Sequence, residues 1–241
     1  TLVGVCIGLT SIKFAFDDRF GLSVLAIIVA GLIDGLDGRI ARLIKGTSQV
    51  GKELDSLTDV ISFGVAPAFI MYFWKLNELG RIGWFICLIY VVAVALRLAR
   101  FNVNSLEEPS WKSNFFEGIP SPAGGILVLM PLFLSLSEFN FSGLNFNLIV
   151  PILFVAISLL LISKLPTYSF KKIIVPRRIS IFLIFGVVIY FVLLLVYTFN
   201  TIVISGLIYL IMIPLSSIHF LKIRNKFRTQ SGDNEDHEDI L

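Results

Sequence analysis

The sequence predicts an all-α fold, a polytopic membrane bundle of about eight transmembrane helices. Three observations carry that expectation. The 241 residues are 56% hydrophobic and 15% charged, with a mean hydropathy of +0.88, which leaves too little polar surface for a soluble domain of this size. The apolar residues fall in continuous runs that approach the ~20 needed to cross a bilayer, rather than alternating as in an outer-membrane barrel. The lysines and arginines sort to one side of those runs.

Eight spans follow in order. Residues 2–16 are apolar from the start of the chain, with Lys13 close enough to the end to snorkel. The chain opens at Thr1, without a methionine, and is expected to be trimmed there. Residues 22–45 follow Arg19 and carry Gly31 and Gly35, a GxxxG that predicts close helix packing or a homodimer. Residues 53–74 end at Lys75, and 82–101 begin after Arg81. Residues 123–136 follow Pro120 and Pro122, since proline suits a first helical turn. Residues 148–162, 179–197 and 202–221 complete the set. The membrane domain is expected over 1–228, and the acidic stretch 229–241 as a disordered tail.

Sixteen of the 20 basic residues fall on one face of this arrangement, among them Arg39, Arg42, Arg97, Arg100, Lys164, Lys171, Lys172, Arg177 and Arg178. Arg19, Lys75 and Arg81 fall on the other. The positive-inside rule then places both termini in the cytoplasm, in an inner membrane of bacterial type. The basic loop over 164–178 reads as topology setting or attraction to anionic lipid. Cys6 and Cys87 lie in apolar runs and read as small core residues rather than a disulfide or metal pair. Nothing in the composition suggests a nucleic-acid surface.

The charged stretch "DGLDGRIARLIKGTSQVGKELDSLTD" over 34–59 interrupts this pattern. At 1.5 Å per residue, Asp34 lies about 22 Å from Arg19 along its helix. Asp59 lies about 24 Å from Lys75, and Arg97 about 24 Å from Arg81. Three helices thus bring ionisable groups to one level, just inside the cytoplasmic boundary, where each charge is costly unless it is used.

The spacing says how. Asp34 and Asp37 are i,i+3 on one helix face, which Gly38, Ala41 and Arg42 continue. Gly51, Asp55 and Asp59 are i,i+4,i+8 on the next helix. Two carboxylate pairs on facing helices make an oxygen-rich box for one or two hard divalent cations. The small residues let an anionic group approach the backbone, and Arg42 is placed for a phosphate. The set points to phosphoryl-group chemistry on a lipid. Spacing alone identifies neither the nucleotide nor the alcohol.

The stretch reads D-x2-D-G-x2-A-R-x8-G-x3-D-x3-D without a departure. It resembles the signature of the CDP-alcohol phosphotransferases. The resemblance implies a six-helix core, two divalent ions (Mg2+ or Mn2+) on Asp34, Asp37, Asp55 and Asp59, and a CDP-linked donor cradled by Gly38, Ala41, Arg42 and Gly51. It implies attack by an alcohol hydroxyl on the phosphorus distal to cytidine, with release of CMP and Asp59 as general base. "SFGVAPA" (62–68), "LRLARFN" (96–102) and "FEGIPSPAGG" (116–125) resemble the integral-membrane phosphatidylserine-synthesising branch of that family. That branch implies CDP-diacylglycerol as donor and L-serine as acceptor. Arg97, Arg100 and Asn102 are the candidates to contact the acceptor, and Ser121 is a weaker one. Two alternatives stand beside this reading. One is a sister enzyme using glycerol 3-phosphate, inositol or another alcohol. The other is a divalent-cation transporter, which would leave Gly38, Ala41, Arg42 and Gly51 without a purpose.

Overall fold

A computed structural model describes residues 2–43, 49–104, 115–138, 143, 145–163, 165–168 and 177–238. It is helical almost throughout: α1 (Leu2–Phe16), α2 (Phe20–Leu43), α3 (Gln49–Asp59), α4 (Ala66–Trp74), α5 (Arg81–Asn104), α6 (Ser121–Val128), α7 (Met130–Leu136), α8 (Phe146–Ile162), α9 (Arg177–Val196) and α10 (Thr198–Glu238). Four stretches are long and apolar enough to cross a membrane: Phe20–Ile40, Glu53–Trp74, Arg81–Val103 and Thr198–Phe220. Leu2–Phe16, Phe146–Ile162 and Ser180–Val196 are shorter apolar helices. This is an all-α membrane protein.

Two expected spans are each built from more than one helix. A π-helical turn, Val60–Val65, joins α3 to α4. The helices α6 and α7 meet at Leu129, just ahead of Pro131, which has no N–H for a continuous ladder. The structure also holds an element that the sequence does not predict. Strand β1 (Phe115–Glu117) pairs antiparallel with β2 (Pro166–Tyr168), Phe116 opposite Thr167. Three residues are too few to show a period of two, so no alternation signals them. At the other end of the chain, α10 is described as helix to Glu238. Extending an existing helix avoids the nucleation step that an isolated segment must meet.

Helix α1 packs chiefly on α2, and α5 on α8. Close approach of α1 to the α3–π segment depends on glycine. A Cβ on Gly8 would meet Ser62 Oγ at 3.0 Å, and one on Gly4 would meet Thr58 Cγ2 at 3.2 Å. The buried core includes Ile27, Phe63, Met71, Tyr90, Phe133 and Phe154. In contrast, every residue of α9 from Ile181 to Leu193 is exposed, and α9 packs mainly on α10. An apolar helix exposed all round is suited to lipid. Cys87 is buried, whereas Cys6 is exposed; both are free thiols. Gly31 is used inside the chain, where a Cβ would stand 3.5 Å from the Phe63 ring, while Gly35 faces open space.

One end of the bundle carries Lys75, Glu78 and Asn147 beneath a cluster of aromatic rings. Tyr72 meets Trp84 at 5.4 Å and Trp74 meets Phe146 at 5.5 Å. Such rings suit a membrane–water boundary. Asp55 and Asp59 lie at the opposite end of the continuous span that carries Tyr72 and Trp74, and Asp34 and Asp37 lie on α2.

Candidate active site

The four aspartates of the signature come together from α2 and α3. Asp34 and Asp55 approach closely enough for their carboxyl groups to hydrogen-bond across the helix pair. Asp37 acts electrostatically on both, and Asp59 on Asp34 and Asp55. All four residues are half-buried. Two ionised carboxylates cannot hydrogen-bond to each other, so a proton or a cation must lie between them. Among the described residues, no three acidic, histidine or cysteine side chains are grouped closely enough to hold a metal ion as they stand. The donors nonetheless fit a hard divalent cation. They are oxygens only, and Asp59 Oδ1 is buried without a hydrogen-bond partner.

Asp59 owes its setting to the π turn that follows it. Pro67 has no N–H to give the Phe63 carbonyl four residues back. Tyr90, fully buried on α5, donates its hydroxyl to that carbonyl at 2.7 Å. Gly125 of α6 packs on the same turn; a Cβ there would stand 3.2 Å from Phe63 O. The turn is therefore held from α5 and α6, and π turns are frequent at functional sites.

Helix α5 supplies the cations. Arg97 is half-buried within electrostatic reach of Asp59. Its Nη1 donates to Ser121 Oγ, and its Cζ lies 5.8 Å from the Phe101 ring centroid. Its Nε is buried with no partner. Ser121 is wholly buried in the first turn of α6, with Pro120 as the residue before it. Arg100 is differently engaged: its Nη1 donates to Ile162 O at 2.7 Å, the last carbonyl of α8. Arginine there complements the negative end of the helix. Asn102 Nδ2 donates to Ser56 Oγ at 3.0 Å, which ties α5 to α3 one residue beyond Asp55.

The strand pair closes this end of the bundle. Gly118 takes φ +73°, and Thr167 Oγ1 donates to its carbonyl at 2.7 Å. Tyr209 of α10 reaches the same place, beside Thr167 and Arg97. Sequence reasoning passed over Tyr209, because one tyrosine in an apolar span carries no spacing signal. Gly38 and Gly51 lie on α2 and α3 with the aspartates. The side chains of Ala41 and Arg42 lie outside the described residues, as do Lys164, Lys171 and Lys172 and the side chains of Arg177 and Arg178.

The family model of the CDP-alcohol phosphatidyltransferases matches residues 1–213. The chain belongs to that family. Its relatives among curated proteins include ones named CDP-diacylglycerol–serine O-phosphatidyltransferase. That of Mycobacterium leprae (strain TN) is 39% identical over 178 residues, 73% of this chain and 59% of the relative. That of Mycobacterium tuberculosis (strain ATCC 25618 / H37Rv) is 35% identical over 178 residues, 73% of this chain and 62% of the relative. That of Helicobacter pylori (strain ATCC 700392 / 26695) is 36% identical over 173 residues, 72% and 71% of the two chains. The match thus spans about six tenths of the mycobacterial relatives' length. CDP-alcohol phosphatidyltransferases generally use divalent metals, in keeping with the oxygen-only donors on α2 and α3.

Proposed function

We propose that this phosphatidyltransferase moves the phosphatidyl group of CDP-diacylglycerol to L-serine, giving phosphatidylserine and CMP. The observation that carries the reading is the Asp34–Asp55 pair beside an unpartnered Asp59 Oδ1, with Arg97 within electrostatic reach. Metal-assisted transfer to an alcohol needs an anionic oxygen cluster, a proton acceptor and a cation for an acidic acceptor molecule. The names of the relatives support the same donor and acceptor.

Asp34, Asp37, Asp55 and one oxygen of Asp59 would hold Mg2+ or Mn2+, two ions by the family pattern. When bound, the metal would offset charge on the diphosphate and on the departing CMP. Gly38, Ala41, Arg42 and Gly51 would cradle the donor, whose acyl chains stay in lipid. The serine hydroxyl oxygen attacks the phosphorus that carries diacylglycerol. The bond from that phosphorus to the CMP oxygen breaks, and Asp59 takes the hydroxyl proton. Arg97, with its free Nε edge, suits the serine carboxylate better than Arg100, whose guanidinium is bonded to Ile162 O. The excess of basic residues at the site's end supports a cytoplasmic site and cytoplasmic termini in an inner membrane. The exposed α9 supports contact with lipid, and a homodimer is a further partner on this reading.

Purified protein in mixed micelles with CDP-diacylglycerol and Mg2+ or Mn2+ tests the proposal. Labelled L-serine, glycerol 3-phosphate and inositol are offered separately, and the lipid product is identified. Serine is expected to be the acceptor, and a phosphatidyl product from another alcohol alone would overturn it. Ion uptake into sealed vesicles without any lipid product would favour a transporter instead. Asp59→Asn is expected to lower turnover at least ~10²-fold with donor binding partly retained. Unchanged turnover would remove its role as base.

A further inference from the structure

Four buried side-chain polar atoms among the described residues make no hydrogen bond: Asp59 Oδ1, Arg97 Nε, Tyr209 OH and Ser216 Oγ. Buried polar groups are nearly always satisfied, so such atoms mark where something else supplies the partner. Three of the four share one neighbourhood. Arg97 lies within electrostatic reach of both Asp59 and Tyr209. Tyr209 comes from α10, far in sequence from the signature, and α10 packs on β2. There Thr167 lies beside the phenol, but the Thr167 proton goes to Gly118 O at 2.7 Å. The contact between Tyr209 and Thr167 falls short of hydrogen-bond geometry. Arg97 has its Nη1 on Ser121, which leaves the Nε edge open.

We infer that Tyr209 is an acceptor-binding, specificity-determining residue, its hydroxyl joining Arg97 Nε in holding the carboxylate of the alcohol substrate. This deepens the reading of L-serine as acceptor and rests on it. Two donors on one side and a carboxylate oxygen on the other are the complement of a small hydroxy acid. The acid group takes Arg97 Nε and Tyr209 OH, and the hydroxyl turns toward Asp59 Oδ1. An uncharged polyol would offer these two donors only neutral hydroxyl oxygens, which are weaker partners than a carboxylate. The selecting group is thus on α10, whereas the metal-binding carboxylates are on α2 and α3.

The test compares wild-type protein with Tyr209→Phe, which keeps the ring and removes only the hydroxyl. Three quantities are measured: binding of labelled L-serine to the detergent-solubilised protein, KM for each substrate, and the preference for L-serine over L-serinamide. Loss of a hydrogen bond to a charged group should weaken serine binding and raise its KM roughly tenfold. The KM for CDP-diacylglycerol should hold steady, and the preference for serine over serinamide should narrow. Unchanged serine binding in Tyr209→Phe, or equal losses for both substrates, would overturn the assignment. If the wild type binds serine but forms no phosphatidylserine, the proposed function falls while the binding comparison still decides Tyr209. If it neither binds nor transfers serine, both fall.

Discussion

Where α4 turns toward α5, Glu78 accepts from Lys75 at 2.8 Å and from Asn147 at 2.9 Å. At the other end of the bundle, Asp34 meets Asp55 and Asp59 Oδ1 meets nothing. Both regions put charge near a membrane boundary, yet only the first supplies each charge with a partner from the chain. Pairing of the first kind steadies a fold. The second arrangement costs stability in the protein alone, because like charges face each other in a partly dehydrated place. Such a cost is understandable if a ligand supplies the missing charge. The difference separates a structural cluster from a functional one.

The largest effect is expected from Asp55→Asn. It should abolish transfer and weaken Mg2+ or Mn2+ binding as read by calorimetry. The thermal midpoint of metal-free protein should stay level or rise, since an amide can donate to Asp34 where two carboxylates repel. A gain of up to about 1 kcal/mol is the scale for one neutral hydrogen bond. A large drop in midpoint would make Asp55 a structural residue and cancel the contrast. Wild-type transfer that survives exhaustive chelation would cancel the metal role outright.

The depth of the site was legible before its geometry. Counting from Arg19, Lys75 and Arg81 puts Asp34, Asp59 and Arg97 at one level, and the structure brings these three into one neighbourhood. That count works because helices rise by a constant amount and the membrane sets a common origin. What it cannot register is a departure from regular helix. The π turn over Val60–Val65 shifts the facing of everything beyond Asp59, and its signal is only a proline four residues past a carbonyl. Nor does the count distinguish Arg97 from Arg100, one turn apart, because α8 ends beside one and α6 begins beside the other. Tyr209 is harder still, since it depends on how α10 meets β2, segments 30 positions apart in the sequence.

A middle-sized effect is expected from Tyr90→Phe, which touches the frame of the site rather than its charges. The change removes the hydroxyl bonded to Phe63 O and leaves that carbonyl buried, with Pro67 unable to replace the donor. An unsatisfied buried acceptor costs about 1–3 kcal/mol. The thermal midpoint should therefore fall, and turnover with it, because Asp59 immediately precedes the turn. Metal binding should be weakened far less than by Asp55→Asn. If Tyr90→Phe matches the wild type in midpoint, the turn is held by other contacts and Asp59 does not depend on it.

The smallest effect is expected at the paired end, from Glu78→Gln. The hydrogen bond from Lys75 holds the Glu78 carboxyl below its ordinary range, with the Lys75 charge and the Asn147 amide acting in the same direction. A carboxyl that is more acidic folded than unfolded stabilises the protein above its unfolded pKa. That contribution fades as the pH falls through the folded value, below the usual glutamate range. At neutral pH, Glu78→Gln should thus lower the thermal midpoint by no more than about a degree or two, as for other exposed ion pairs. As the pH falls below the usual glutamate range and through the lowered folded value, the two proteins should converge. Added salt should shrink the neutral-pH difference. Transfer activity should be unaffected throughout. A loss of activity in Glu78→Gln with the midpoint intact would mean that this end also serves the reaction, and the contrast between the two clusters would no longer separate structure from function.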